Sequence, residues 1–236
     1  MLSDKVDGRH IELKAHALDH LDSQTNFLEV EDLGLLKMDF LGLRNLTVIN
    51  KALELIELKG EKVQIDKVSM EEPEVYKLFA NGLTIGVFQF ESSGMREFLK
   101  KLKPTAIGDL IAMNALYRPG PMNNIDNFIA RKHGKKKIEY PHTSLVPILE
   151  ETYGIIVYQE QVMQVLHHLG GVPLRKAYTV IKAISKKNHK IIDSARADFI
   201  AGGAERCVTE SQSTELFDLI LKFAGYGFKN SHSTGY

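Results

Sequence analysis

The stretch LRKAYTVIKAISKK, residues 174–187, has a clear helical period within this 236-residue chain. Its aliphatic residues bracket one side of a helical projection, as in a helix that packs against a core. Of its five basic residues, Arg175, Lys182 and Lys186 fall on the other side, and Lys187 lies adjacent to them. The pattern predicts a helix over 174–186 with one buried face and one row of cationic groups.

The same periodicity continues through most of the sequence that follows residue 92. The breaks between periodic segments carry Gly and Pro turn chemistry, and Gly202-Gly203 is one of the predicted breaks. Further helices are predicted near 93–102, 106–117, 124–133, 145–152, 159–169, 190–201 and 213–223.

Upstream of residue 92 the pattern is more mixed. The residues from Leu46 predict a helix that ends at Gly60. Ser69 followed by Glu72 forms a capping-box pattern at the start of another helix. The segment 84–90, TIGVFQF, is β-branched and aromatic and predicts a strand. The predicted fold class is mainly α, a multi-helical body preceded by a small mixed segment.

The composition is that of a soluble globular protein, with 44% hydrophobic and 25% charged residues. The single Cys207 excludes an intramolecular disulfide and fits a reducing, cytoplasmic setting. No apolar run approaches the roughly 18 residues of a membrane helix, and the polar first residues do not form a signal peptide. We therefore expect a cytoplasmic protein without a membrane partner.

The net charge of zero conceals an uneven distribution of charge along the chain. Between residues 96 and 190 there are 16 Lys and Arg against 7 Asp and Glu, a net of +9. The remainder carries a net of −9. A basic middle favours a polyanionic partner, although a solvated helix surface rich in Lys remains the alternative.

Asp39 lies in LLKMDFLGL, residues 35–43, where Lys37 is the other polar side chain. A carboxylate among apolar residues is costly unless it is paired or bound to a metal ion. Two roles are open from the residues alone, a metal ligand or a plain ion pair with Lys37.

Arg118 lies in LYRPGP, residues 116–121, at a predicted helix end followed by a rigid turn. Its guanidinium could donate to a phosphate or could cap the carbonyl groups of its own helix. The basic turn RKHGKKK, residues 131–137, is either a contact to a nucleic-acid backbone or a solvated loop. Its candidate residues are Arg131, Lys132, Lys135, Lys136 and Lys137.

Several long segments occur in a specific order, including LLKMDFLGLRNLTVI, GVFQFESSGMREFLKKLKP, DLIAMNALYRPGP and LFDLILKFAGYGFKNSHSTGY. They resemble the C-family bacterial replicative DNA polymerases, of the DnaE type known as the DNA polymerase III alpha subunit. The resemblance covers about residues 25–236. It implies that residues 1–45 are the end of a palm domain, a small α/β edge, and that 46–236 are a helical fingers domain, incomplete at its C-terminus.

The resemblance also implies the chemistry. Asp39 matches the third of three metal-binding aspartates, so it is the predicted catalytic and metal-binding residue of a site for two Mg²⁺ ions. The implied reaction transfers a dNTP to a primer 3′-hydroxyl on a DNA template. The implied partners are template-primer DNA, dNTP, the rest of the polymerase and other replisome subunits. The predicted nucleotide-binding residues are Lys37, Lys182, Lys186, Lys187, Lys229 and His232. The predicted DNA-binding residues are Arg118 and the five basic residues of the turn 131–137.

The sequence departs from the family pattern at two places. Ile181 stands where the family usually has the Arg that begins an Arg-Arg or Arg-Lys pair, and Lys182 keeps a charge without the two-pronged donor geometry of Arg. Lys229-Asn230 stands where the family usually has Asn followed by Lys. The alternative function is therefore a non-catalytic helical nucleic-acid-binding module derived from the polymerase fold. The isolated chain is expected to lack polymerase activity, because Asp39 alone offers too few ligands for two metal ions.

Overall fold

The computed structural model describes residues 44–224 and 227–235. The chain divides into two compact units, one that reaches Val63 and one that starts at Gln64. In the first unit, helix α1 spans Arg44–Glu57, and none of its residues is buried. The predicted α/β segment, with Lys37 and Asp39, lies outside the described residues.

The second unit is built from helices joined by short turns. In chain order these are α2 (Pro73–Ala80), α3 (Ser93–Leu102), α4 (Ile107–Leu116), α5 (Ile125–Lys132), α6 (Val146–Leu149), α7 (Gln159–Gly170), α8 (Leu174–Ser185), α9 (His189–Ala204), α10 (Glu210–Ala224) and α11 (Asn230–Gly235). Short 3₁₀ turns occupy Ile65–Lys67, Pro121–Asn124, Thr143–Leu145 and Glu150–Thr152. The predicted mainly helical, multi-helical class is confirmed for the described part of the chain. Within that part, no helix is both long enough and apolar enough to cross a membrane.

Helices α2 to α5 enclose the first of two hydrophobic cores. Met95, Leu99 and Leu102 share one face of α3 and are almost fully buried, as expected for residues separated by one and two helical turns. Ser92 caps α3, because its side chain accepts the backbone N–H of Met95. The side chains of 155, 157 and 158 complete this core from a later part of the chain.

Helices α6 to α10 enclose the second core. Here α7 and α9 approach so closely that a Cβ atom on Gly202 would lie 1.9 Å from the carbonyl oxygen of Gly170. A Cβ atom on Gly170 would in turn lie 2.2 Å from the ring of Phe199. Gly202 is therefore required by the close approach of the two backbones, and Gly170 by the packing of its backbone against the Phe199 ring. Helix α8 contacts both α7 and α9, so its orientation is set by this tight pair.

Three local predictions are corrected by the structure. The segment 84–90 is not a strand but a looped turn, closed by a hydrogen bond from Thr84 Oγ1 to the Phe90 carbonyl oxygen at 2.6 Å. Gly202-Gly203 lies inside α9 rather than at a break, because Gly202 packs against Gly170 of α7 and Gly203 packs against Ser213 of α10. Glu72, rather than Ser69, is the residue that caps α2.

Candidate nucleic-acid and nucleotide interface

Helix α8 presents its lysines as the sequence predicts. Lys182 is exposed, and its Nζ lies 5.5 Å from the ring centroid of Tyr178 on the same helix. Lys186 and Lys187 follow at the exposed C-terminal end of the helix. A rigid helix thus holds several ammonium groups toward solvent, an arrangement suited to polyphosphate.

Ile181 points the opposite way from Lys182. Its side chain is only 2% exposed and belongs to the second core, together with Val180 and Ile184. The position at which the family resemblance implies an Arg is therefore occupied by a side chain that packs in the hydrophobic core. Lys182 is left as the residue of that pair with access to a ligand.

Arg118 follows α4 and does two things at once. Its Nε donates to the carbonyl oxygen of Ala115 at 2.9 Å, which is the helix-capping role left open by the sequence. Its guanidinium carbon lies 4.2 Å from the ring centroid of Phe228, within cation–π range. Burial lowers the pKa of the Arg118 guanidinium from its ordinary value, and the group stays charged.

His232, on the short helix α11, lies against the same Phe228 ring as Arg118, although the two residues are far apart in the sequence. Its imidazole meets the Phe228 ring edge to face, with centroids 5.2 Å apart. Lys229 lies nearby in sequence with an exposed side chain. The two predicted ligand-binding residues Arg118 and His232 are therefore brought onto one aromatic ring.

Both residues line a cavity of about 390 Å³. The other walls supply amide, hydroxyl, carboxylate and aromatic groups, a combination typical of sites for polar ligands with a flat apolar part. The lining residues are Phe88, Gln89, Glu91, Ser92, Met95, Asn114, Tyr117, Arg118, Phe228 and His232. Phe228 is absent from the sequence predictions, because its partner Arg118 is far away in the chain and no short-range pattern links them.

The basic turn after α5 divides into exposed and engaged residues. Lys135, Lys136 and Lys137 are exposed, and Lys136 Nζ donates to Asn127 Oδ1 at 2.9 Å. Arg131 is half-buried and donates from Nη1 to the Tyr153 carbonyl oxygen at 2.9 Å. The exposed lysines remain available to a DNA backbone, whereas Arg131 is engaged in holding a neighbouring segment.

Lys132, a predicted DNA contact, is engaged in an ion pair within the protein. Its Nζ lies 2.8 Å from Asp109 Oδ2, and the two side chains are 8% and 4% exposed. Tyr153 donates from its hydroxyl to the other oxygen of Asp109 at 3.0 Å. The charge of Lys132 is thus neutralised by Asp109 inside the protein. The sequence pattern did not reveal Asp109 as its partner.

Burial by itself would raise the pKa of the Asp109 carboxyl. The bonds from Lys132, from the Thr105 backbone N–H and from Tyr153 outweigh that effect, so the pKa lies below its ordinary value. Burial and the negative charge of Asp109 together raise the pKa of Tyr153, which keeps its phenol a hydrogen-bond donor. The network is a structural one in which each polar group has a partner.

The predicted metal ligand Asp39 and its neighbour Lys37 lie outside the described residues. Within residues 44–224 and 227–235, no group of three or more His, Cys, Asp or Glu side chains is placed to share a metal ion. The described residues therefore do not by themselves fit a two-metal centre.

The described architecture is a multi-helical domain, consistent with a fingers domain. Residues 45–207 match the sequence model described as the bacterial DNA polymerase III alpha subunit finger domain. This chain belongs to the bacterial DNA polymerase III alpha subunit family.

Individual relatives agree with that assignment. The chain is 47% identical over 228 residues to the DNA polymerase III subunit alpha of Bacillus subtilis (strain 168), covering 96% of this chain and 20% of the relative. The corresponding proteins of Caulobacter vibrioides and Aquifex aeolicus are 44% and 47% identical, each over 91% of this chain and 19% of the relative. The chain thus spans about one fifth of the length of these relatives.

Proposed function

We propose that this chain supplies the fingers region of a replicative DNA polymerase. In that setting it takes part in template-directed transfer of a dNTP to the 3′-hydroxyl of a primer. The proposal is supported by membership of the polymerase III alpha subunit family and by the exposed cationic groups of the helical body. The remainder of such a polymerase, other replisome subunits and template-primer DNA are its proposed partners, and the cytoplasm is its proposed location.

The observation that carries the proposal is the two-sidedness of α8. Ile181 and Ile184 anchor the helix in the second core, and Lys182 stands on its solvent face. Lysines held by a buried helix can neutralise a triphosphate without a large loss of backbone freedom. We assign Lys182, with Lys186 and Lys187 at the helix end, to the triphosphate of the incoming nucleotide. Lys229 and Lys37 are further proposed contacts.

Within this chain, Asp39 is the one residue that we propose as a metal ligand for this reaction. Asp39 would help to hold Mg²⁺, which would supply activation of the primer hydroxyl and charge stabilisation at the α-phosphorus. Asp39 provides one carboxylate ligand, and the other ligands belong to parts of a polymerase outside the described residues. The 236-residue chain by itself is therefore expected to show no primer extension. Robust extension by the purified chain would refute this expectation.

The test of triphosphate binding compares two lysines of the same helix. Lys182→Ala is expected to weaken dNTP binding in the presence of Mg²⁺ by about 1–3 kcal/mol, as for the loss of a charge-assisted contact. Lys176→Ala is the matched control, because Lys176 is exposed on α8 but is paired with Asp198 at 2.6 Å. Equal affinities for the two variants would remove Lys182 from the site.

One observation favours the second candidate, a non-catalytic nucleic-acid-binding module. Ile181 is buried at the position where the family carries an Arg, which leaves one fewer cation for a triphosphate. That candidate predicts binding of DNA by the chain without measurable binding of dNTP. Isothermal titration with both ligands distinguishes it from the polymerase proposal.

A further inference from the structure

Tyr178 and Lys182 lie one turn apart on α8, and their side chains meet on its solvent face. The Lys182 Nζ is 5.5 Å from the centroid of the Tyr178 ring, within the range of a cation–π contact. Residues four positions apart are neighbours on a helix surface, so the contact follows from the sequence spacing. Tyr178 is 41% exposed, and its ring belongs to neither hydrophobic core.

The helix beneath this pair is fixed in place. Ala177 and Ile181, the residues that directly precede Tyr178 and Lys182, are buried in the second core. On the flank of the helix, Lys176 Nζ lies 2.6 Å from Asp198 Oδ2, which ties α8 to α9. The freedom that is left to Lys182 is therefore that of its own long side chain.

The ring restrains Lys182 in a different way from an ion pair. Lys176 is paired with a carboxylate, which neutralises its charge. An aromatic ring carries no net charge, so the Lys182 ammonium is attracted to the face of Tyr178 and keeps its positive charge. An ammonium has three N–H donors, and a ring on one side leaves the solvent side open to an anion.

This restraint matters because a lysine loses rotamer freedom when it binds a phosphate. Ile181 is only 2% exposed, so Lys182 is the residue of these two adjacent positions that can reach a ligand. Its ordering is therefore not shared with a neighbouring cation at position 181. A ring that already limits the positions of the ammonium lowers the entropy that is lost on binding.

We propose that Tyr178 is a positioning residue that holds the Lys182 ammonium on the solvent face of α8 for the triphosphate of a nucleotide. Part of the ordering of Lys182 then takes place when the protein folds and not when the ligand binds. The ring acts through the lysine and makes no contact of its own with the nucleobase. This inference rests on the proposed function, because Lys182 is the residue through which Tyr178 acts.

The experiment measures the binding of a dNTP and of inorganic triphosphate, each with Mg²⁺, by the 236-residue chain. Tyr178→Leu removes the ring without weakening the helix, since Leu has a higher helix propensity than Tyr. Tyr178→Phe retains the ring. Leu174→Ala is the matched control, because Leu174 is a similarly exposed residue of α8 about two turns before Lys182. Thermal unfolding of every variant is recorded in parallel.

Tyr178→Leu is expected to raise the dissociation constants of both ligands about two- to tenfold, the range that follows from ordering one long side chain. Tyr178→Phe and Leu174→Ala are expected to bind both ligands like the wild type. In a Lys182→Ala background, Tyr178→Leu is expected to have no further effect, because the residue on which it acts is gone. A purely structural role of the ring would change the unfolding temperature without this dependence on Lys182.

Four results would overturn the inference. Wild-type affinity of Tyr178→Leu would show that the ring does not matter, and tighter binding would show that it competes with the ligand for the ammonium. A loss that Tyr178→Phe shares, or that persists in the Lys182→Ala background, would show that the ring does not act through Lys182. Weaker binding of the dNTP with unchanged binding of inorganic triphosphate would show that Tyr178 contacts the nucleoside.

The failure of this inference is distinguishable from failure of the proposed function. If Lys182→Ala weakens dNTP binding and Tyr178→Leu does not, the assignment of Lys182 stands and the role of Tyr178 is wrong. If Lys182→Ala binds the dNTP like the wild type, or if the wild-type chain binds neither ligand, the proposed triphosphate contact fails and the role of Tyr178 fails with it. Should Tyr178→Leu unfold at the assay temperature, Tyr178→Met provides the same contrast.

Discussion

Lys132 and Asp109 form an ion pair in the interior of the protein, with 2.8 Å between Nζ and Oδ2 and with side chains only 8% and 4% exposed. The pair joins the last turn of α5 to the first turn of α4, two helices of the first core. Thr105 and Tyr153 satisfy the remaining hydrogen-bonding capacity of the carboxylate. The pair therefore fixes the orientation of two helices that flank the proposed interface.

Removal of one partner of this pair should be costly. We expect Lys132→Met to lower the free energy of unfolding by about 3–5 kcal/mol, because it leaves a buried carboxylate without its counter-charge. Urea denaturation followed by circular dichroism measures the effect. Lys176→Met is the control, since it breaks an exposed pair with Asp198 and should stay within about 0.5 kcal/mol of the wild type. Similar losses for the two variants would contradict a special role of the buried pair.

The Asp109 carboxyl should also make stability depend on pH. Its pKa in the folded protein lies below the unfolded value of 3.8, so ionisation of Asp109 stabilises the fold above that pH. The contribution is lost as the pH falls through the lower, folded pKa. We expect the stability difference between the wild type and Asp109→Asn to be constant from about pH 5 to 7 and to shrink below about pH 4. A difference that grows with acidification would show that the shift has the opposite sign.

Because α7 and α9 cross so closely, we expect the addition of a single methyl group at the crossing to destabilise the fold strongly. Gly202→Ala would place a Cβ atom 1.9 Å from the Gly170 carbonyl oxygen, so the helices must move apart. We expect a loss of about 1–3 kcal/mol or more in the free energy of unfolding, as for overpacked cores. Gly108→Ala, in α4 with no atom within 4 Å of the added carbon, should instead stabilise by up to about 1 kcal/mol. Differential scanning calorimetry of the two variants tests this contrast in sign.

The exposed part of the basic turn should contribute to the salt dependence of DNA binding. We expect the double variant Lys135→Ala/Lys137→Ala to reduce the slope of log affinity against log salt by about 0.7–0.9 for each lost phosphate contact. Lys62→Ala/Lys67→Ala is the charge-matched control, because both lysines are exposed but precede the basic middle of the chain. Fluorescence anisotropy with a primer-template duplex gives both slopes. If the two double variants have the same slope of log affinity against log salt, the turn is an ordinary solvated loop that does not contact DNA.

Local patterns were sufficient for most helices. The segment 93–102 has an apolar residue every turn and a Ser before it, and it is helix α3 with those bounds. The sidedness of 174–186 was likewise readable, since the burial of Ile181 and the exposure of Lys182 follow from helical geometry. Both features depend on neighbours within one or two turns of the same helix.

Contacts between distant segments were not readable in the same way. The residues 84–90 have strand-like composition but find no partner strand among the described residues, and Thr84 closes them into a turn instead. Gly202 looked like a helix break because its true role, contact with Gly170, lies on another helix. Lys132 looked like a surface cation because Asp109 lies 23 positions away. The contacts of Arg118 and His232 with Phe228 are likewise contacts between distant segments that the sequence did not reveal.

Tyr158 and Phe228 form a short parallel backbone bridge, which has a consequence for the order in which the molecule is assembled. Helices α7 to α10 lie between these two residues in the chain, so the bridge closes a long loop and can form only once that loop has collapsed. During synthesis, a nascent chain that stops short of Phe228 already contains both sets of core helices but lacks the aromatic wall shared by Arg118 and His232. The cavity is thus completed only after helices α7 to α10 have been synthesised and have folded back.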